Sequence, residues 1–254
     1  MSHALVQTAQ IINSPSFSGP TQMACDAMML ENLRKRNDIS MSLRFYKWKG
    51  IWLSIGHHQK ELPQKWIDLA KEKKLSIVRR PSGGSAVLHA GGLTYSLVWQ
   101  SPPRKKRQAY VEASQWLIES FAALNCPLTF GTEKSISPTG NCFSSSSIAD
   151  LIDTQGNKRI GSAQYWQGGN LLQHGEILLD PPIDLWREVF NTPPPQAAPN
   201  NVPRSGLIDY LTKYCVSYWS RFNWIQNELG ENELDNILRN SKSYFIKLSD
   251  RENK

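Results

Sequence analysis

The segment Asn191-Thr-Pro-Pro-Pro-Gln-Ala-Ala-Pro-Asn-Asn-Val-Pro203 excludes both helix and central strand. Its prolines remove amide donors and fix φ, so it can only be a linker or a wrapping loop. It divides the 254-residue chain into a body, 1–190, and a tail, 204–254. The body is long enough to bury a sizeable core. The tail, with Trp219, Phe222 and Trp224, is too short for a robust core of its own and is expected to dock on the body.

Within the body, residues 21–36 read as a helix, with Pro20 near its start and Met23, Ala27, Leu30 and Leu33 on one face. Leu43–Trp48 and Ile51–Ile55 are rich in aromatic and β-branched residues and flank Lys49-Gly50, which predicts a hairpin. Residues 64–74 read as helix, and Leu75–Arg80 and Leu93–Trp99 as strands. Residues 109–124 form an amphipathic helix anchored by Val111, Leu117, Ile118, Phe121 and Leu124. Ile148–Ile152 and Lys158–Ala163 flank the turn Thr154-Gln155-Gly156-Asn157, a second hairpin, and Leu171–Leu179 is a further strand. In the tail, 206–229 and 232–240 read as helices. Hairpins interleaved with helices predict an α+β fold with a mixed, largely antiparallel sheet flanked by helices.

Composition narrows the function classes. Hydrophobic residues make up 40% of the chain and charged residues 20%, as in ordinary globular proteins. No apolar run approaches the roughly 18 residues that span a bilayer, so no membrane role is expected. The polar N-terminus lacks the pattern of a secretory leader, which predicts a cytoplasmic protein. Four cysteines, Cys25, Cys126, Cys142 and Cys215, form neither a disulfide framework nor a C-x-x-C pair, so no metal site is expected. The net charge of +7 suggests an acidic partner, either a nucleic acid or an acidic carrier protein. Its longest basic run, Arg104-Lys105-Lys106-Arg107, is placed on a loop.

Four stretches could carry chemistry. In Arg79-Arg80-Pro81-Ser82-Gly83-Gly84-Ser85-Ala86-Val87-Leu88-His89 a strand ends in two arginines and enters a small-residue turn. Gly83 and Gly84 let backbone N–H groups approach a ligand, and two guanidinium groups suit phosphate or carboxylate. The same stretch also reads as a plain tight turn, and it is neither a Walker A loop nor G-x-G-x-x-G. Lys158 opens a strand that runs to Gly161-Ser162-Ala163. Small residues there leave room for a ligand, or they mark a bulge after an exposed lysine. His174, like His89, is either a hydrogen-bonded core residue or a base. Cys142 lies in a polar, Ser-rich loop, where nearby cations would favour its thiolate; a nucleophile and an ordinary loop residue both fit.

In this order the stretches resemble the biotin/lipoate protein ligase superfamily, closest to its cysteine-dependent octanoyltransferases and lipoate-protein ligase A-like members. The resemblance rests on Gly19–Asp26, Leu43–Trp48, Arg79–His89, Leu93–Ser96, Cys142-Phe143, Lys158–Gln164 and Gln173-His174-Gly175, and covers roughly residues 15–185. Ser85 stands where the transferases commonly show arginine, and Gly91-Gly92 replaces a more acidic pair. The resemblance implies a catalytic domain like that of class II synthetases and biotin ligases, with an octanoyl or lipoyl group placed on one lysine of a carrier domain.

For the transferase branch it implies that Cys142 takes the acyl group from octanoyl-acyl carrier protein and passes it, without cofactor, to a lipoyl carrier domain (glycine cleavage H protein or dehydrogenase E2). Lys158 would stabilise charge on the acyl carbonyl. Arg79, Arg80, Ser82, Gly83, Gly84, His89, Gly161, Ser162, Ala163 and His174 would bind substrate. The alternative is an ATP-dependent lipoate ligase in which Arg79, Arg80 and Lys158 serve ATP and Mg²⁺ and Cys142 is incidental. A nucleic-acid-binding module is a remote third reading, because the basic residues are dispersed and no RNA motif is present.

Overall fold

Residues 7–36, 38–131 and 149–246 are described by a computed structural model. The chain runs β1 (Thr8–Asn13), α1 (Gly19–Lys35), β2 (Ile39–Tyr46), β3 (Trp52–Ile55), α2 (Gln64–Lys71), β4 (Ser76–Arg79), β5 (Val87–His89) and β6 (Gly92–Trp99). It continues α3 (Lys106–Ala123), β7 (Leu128–Phe130), β8 (Asp150–Asp153), β9 (Lys158–Gln167), β10 (Asn170–Leu178) and α4 (Ile183–Phe190). It closes with α5 (Leu207–Tyr218), β11 (Asn223–Glu228) and α6 (Glu231–Ser241).

An eight-stranded sheet has the order β11-β1-β2-β6-β10-β9-β8-β7, and a three-stranded sheet has the order β4-β3-β5. In the large sheet β11, β1 and β2 run parallel, and the remaining pairings are antiparallel. This is the mixed, largely antiparallel α+β fold that the sequence predicts.

Strand alternation sorts the large sheet into two unlike faces. Met41, Leu43 and Phe45 of β2 and Tyr95, Leu97 and Trp99 of β6 belong to one apolar core with Trp116 and Leu117 of α3 and Leu211 and Cys215 of α5. The intervening Ser42, Arg44 and Tyr46, and Thr94 and Ser96, are equally buried. A second apolar core joins Met29, Leu30 and Leu33 of α1, Ile237 of α6, and Val98 and Leu172 of the sheet. A third packs the small sheet on α2 and α4 through Trp66, Trp186 and Phe190.

Three local expectations need correction. Strands β2 and β3 do not form a hairpin: β2 pairs with β1 and β6, and β3 with β4 and β5. Beyond Tyr46 the chain is captured by the loop after β1, through a Trp48–Phe17 bridge and the Lys49 N–H on the Phe17 carbonyl (2.8 Å). It then turns at Gly50, with φ of 88°, into the other sheet. The helix expected over 206–229 ends at Tyr218, and Asn223–Glu228 instead extends β1 as strand β11. Lys106 and Arg107 lie in the first turn of α3 rather than on a loop.

The proline-rich stretch wraps the body. Ala198 and Val202 enter the first core, and the Ala198 N–H donates to the Leu179 carbonyl (2.7 Å). Arg204 fastens its end, reaching Asp180 (2.9 Å) and the carbonyls of Ala198, Pro199 and Val202.

Candidate active site

A narrow cleft of about 60 Å³ opens where the two sheets face each other. The small sheet and its loop contribute Ser54, Arg80, Gly84, Val87 and His89. The large sheet contributes Thr94, Gly161, Ser162, Ala163, His174 and Glu176. Met23 and Trp48 close its sides. Seven of the residues singled out from the sequence therefore share one wall system: Arg80, Gly84, His89, Gly161, Ser162, Ala163 and His174.

Both paired arginines bond to loop carbonyls. Arg80 is buried, with Nη1 on the Ser54 carbonyl (2.9 Å) and Nη2 on the carbonyls of Gly83 (2.8 Å) and Ser85 (2.7 Å). Arg79 Nη1 donates to the carbonyls of Gly56, His57 and Gln59. Arg80 thus holds the Gly83-Gly84 turn in place, and Arg79 holds the Gly56–Gln59 loop beside it. Gly84 has φ of 93°, and its carbonyl fills the position that a side chain on Gly56 would occupy. The turn needs glycine for its own backbone and for its neighbour.

Two histidine relays line the cleft. In the first, His174 Nδ1 faces Asp26 Oδ2 at 3.0 Å and Nε2 faces Ser82 Oγ at 2.5 Å. Asp26 is fully buried; it takes a charge-assisted bond from Arg44 Nη2 and a weaker one from Tyr46 Oη (3.2 Å). Burial alone would raise the Asp26 pKa, but Arg44 and His174 overrule it and hold the carboxyl below its usual 3.8. His174 thus bridges the buried Asp26 carboxylate and the Ser82 hydroxyl through its two ring nitrogens.

In the second relay, His89 Nδ1 faces Glu176 Oε2 at 2.8 Å and Nε2 faces Ser54 Oγ at 2.7 Å. Thr94 Oγ1 donates to the same Glu176 oxygen (2.5 Å) and accepts from Trp48 Nε1 (2.7 Å). The Trp48 ring stacks on His89, 4.0 Å between centroids. Burial pushes the His89 pKa down, past the opposing pull of Glu176, so His89 is neutral at pH 7 and donates to the carboxylate.

Ser162 Oγ shares a hydrogen bond with Tyr95 Oη (2.8 Å), which Gln173 also reaches. Gly175 must lack a side chain, because a Cβ would meet the Tyr95 ring at 2.6 Å. Lys158 is buried three residues before Gly161, does not line the cleft, and pairs with buried Asp150 at 2.8 Å. Cys142 lies outside the described residues. The run Arg104–Arg107 follows the end of β6 opposite to Thr94, away from the cleft.

The sequence reading left Asp26, Arg44, Ser54, Thr94 and Glu176 without roles. A signal was available for two of them, Arg44 and Glu176. In β2, Ser42, Arg44 and Tyr46 alternate with Leu43 and Phe45, and in β10 His174 and Glu176 stand two residues apart in an apolar strand. Polar groups on one face of a strand otherwise built for burial mark an internal polar network.

Residues 18–207 match the lipoyl protein ligase A/B catalytic domain. The chain is 35% identical over 198 residues to an octanoyltransferase, LipM, of Staphylococcus aureus, covering 73% of this chain and 71% of that one. It is 31% identical over 224 residues to the LipM octanoyltransferase of Oceanobacillus iheyensis, covering 86% and 77%. Among solved structures, lipoate-protein ligase A bound with ATP superposes with a TM-score of 0.74 at 18% identity, covering 93% of this chain and 95% of that one. A chain from a structural analysis of a bi-partite lipoate protein ligase and its E2 lipoyl domain from Thermoplasma acidophilum superposes with a TM-score of 0.72 at 18% identity, covering 97% and 95%. At that identity the structures establish a common fold. By the extent of the domain match and by its relatives, the chain belongs to the lipoyl protein ligase A/B catalytic domain family.

Proposed function

We propose that this protein is a cytoplasmic octanoyltransferase of protein lipoylation that works through a cysteine thioester. The observation that carries the reading is the 31–37% identity, over most of the chain, to enzymes named as octanoyltransferases. In this reading the Cys142 thiolate attacks the thioester carbonyl of octanoyl-acyl carrier protein and expels the pantetheine thiol. A lysine amine of a lipoyl carrier domain then attacks the acyl-enzyme, forming an amide and releasing the Cys142 thiol. Exchange of one thioester for another is nearly balanced and amide formation is downhill, so the reaction needs neither ATP nor metal.

Lys158 is held by Asp150 at the head of β9, and its ammonium stabilises the negative charge that develops on the acyl oxygen. The slot between the sheets receives the acyl chain, with Gly84 and Gly161–Ala163 as its walls. The engagement of Arg79 and Arg80 with backbone carbonyls argues against the ligase alternative, in which both would hold phosphates.

The test is transfer to a purified lipoyl domain in ATP-free buffer. Octanoyl-acyl carrier protein should label the domain, and Cys142→Ser should abolish the labelling. Labelling that requires free octanoate, ATP and Mg²⁺, and that survives Cys142→Ser, would establish the ligase instead.

A further inference from the structure

His174 and Glu176 stand two residues apart on β10 and share one face, about 7 Å apart at the usual strand rise. Each supports a bond across the cleft to the small sheet or its loop. His174 Nε2 meets Ser82 Oγ (2.5 Å), and Glu176 Oε2 meets His89 Nδ1 (2.8 Å). Both crossings are backed by a further bond. Behind His174 stands the fully buried Asp26 (3.0 Å), and behind His89 stands Ser54 Oγ (2.7 Å). Ser54, Ser82, His89 and His174 are all buried, and both nitrogens of each ring are engaged within the relays. Two planar, fully engaged rings thus fix the separation of the two sheets at the cleft.

The strand beside these crossings carries almost no side chain. Ala163 pairs with His174 and Gly161 with Glu176, so next to each crossing β9 offers one side-chain carbon or none. Both residues line the cleft, with Gly84 and Val87 on the small-sheet side. Asp150, which holds Lys158, pairs with Gly161, so the ammonium stands toward the Gly161 end of this floor. With the acyl carbonyl at Lys158, as the octanoyltransferase reading on which this inference rests requires, the chain runs over Gly161 toward Ala163 and passes both crossings. Walls tied together in this way yield little to an added carbon.

We infer that His174 and His89 are specificity-determining positioning residues. They hold the slot at the width of one unbranched chain, so the protein takes straight acyl chains and rejects those with a methyl branch. Ser82 seats the His174 crossing on the Gly83-Gly84 turn.

The experiment sets octanoyl and 7-methyloctanoyl thioesters of one carrier protein in competition, with the full chain and a lipoyl domain as acceptor. The branch lies near the far end of the chain, toward Ala163. Wild type should favour the straight chain at least roughly tenfold, the lower end of what one carbon is worth in a closely fitted apolar site. S82A, which cuts the crossing and leaves the ring in place, should bring the ratio within a few-fold of one. H174N, whose amide can still meet Asp26 but falls short of Ser82, should do the same and decides the matter if S82A does not fold. General destabilisation would lower both rates together and leave their ratio alone. Equal use of the two chains by wild type, or a wild-type ratio kept by the folded variant, would overturn the inference. If wild type transfers neither chain, the octanoyltransferase reading fails, and calorimetry with the two free acids decides this one: tighter binding of octanoate that S82A evens out supports it, and equal or absent binding overturns it.

Discussion

Asp26 sits at the centre of the cleft's electrostatics: fully buried, clasped by Arg44 and bonded to His174. Removing one partner of such a pair leaves an uncompensated buried charge, so Asp26→Asn should cost about 3–5 kcal/mol in urea unfolding at pH 7. The sign of its pH dependence follows from its lowered pKa. The carboxylate stabilises the fold fully above its unfolded value, and that contribution is lost as pH falls through the lower folded value. The urea midpoint of wild type should therefore drop between pH 5 and pH 3 more steeply than that of Asp26→Asn; parallel curves would contradict this. His89 acts in the same direction at higher pH. Its folded pKa lies below 6.5, so the stability it lends fades as pH falls below that value. Lys158→Ala breaks the buried pair with Asp150 and should cost a similar 3–5 kcal/mol. Lys158→Met refills the volume but leaves Asp150 equally unpaired, so an activity lost in that variant at a temperature where circular dichroism shows it folded would isolate the ammonium's role in the reaction.

The Gly83-Gly84 turn behaves as an element held from three sides: by Arg80 from below, by Arg79 through the neighbouring loop, and by Gly56 through close backbone approach. A methyl group at Gly56 must displace the Gly84 carbonyl. Gly56→Ala should therefore destabilise by about 1–3 kcal/mol and lower octanoyl transfer together, read as urea midpoint and initial rate. An unchanged rate would mean that the turn does not shape the slot. The tail is the other element whose role depends on distant pairing. Strand β11 extends the large sheet beside β1, and α6 packs on α1, the helix that carries Met23 and Asp26. A chain cut after residue 203 would expose both surfaces. It should appear in the insoluble fraction, or as a species without a cooperative thermal transition; a soluble fragment with native transfer rates would contradict that dependence.

At the scale of the molecule, the fold class was legible because the spacing of apolar positions and turn residues is local information. The same locality explains what was not legible. Asn223-Trp-Ile-Gln-Asn-Glu228 has no strong preference of its own and becomes strand only because β1 offers a free edge. The supposed hairpin at Lys49-Gly50 has correct turn chemistry, but contacts from Phe17 draw its two arms into different sheets. The stretch Arg79–His89 announced itself as special, but the carbonyl partners of its arginines, up to 26 residues away, are set by tertiary contacts that local pattern does not show. Asp26 stayed silent because its partner His174 lies 148 residues distant, a separation that no local pattern encodes. The covalent step remains the claim from which the rest follows, and intact-protein mass after mixing with octanoyl-acyl carrier protein, free of ATP, tests it most directly. Wild type should gain one octanoyl group, lost again on adding a lipoyl domain, and Cys142→Ser should gain none. No adduct on wild type, with the lipoyl domain labelled equally by both proteins, would contradict the account.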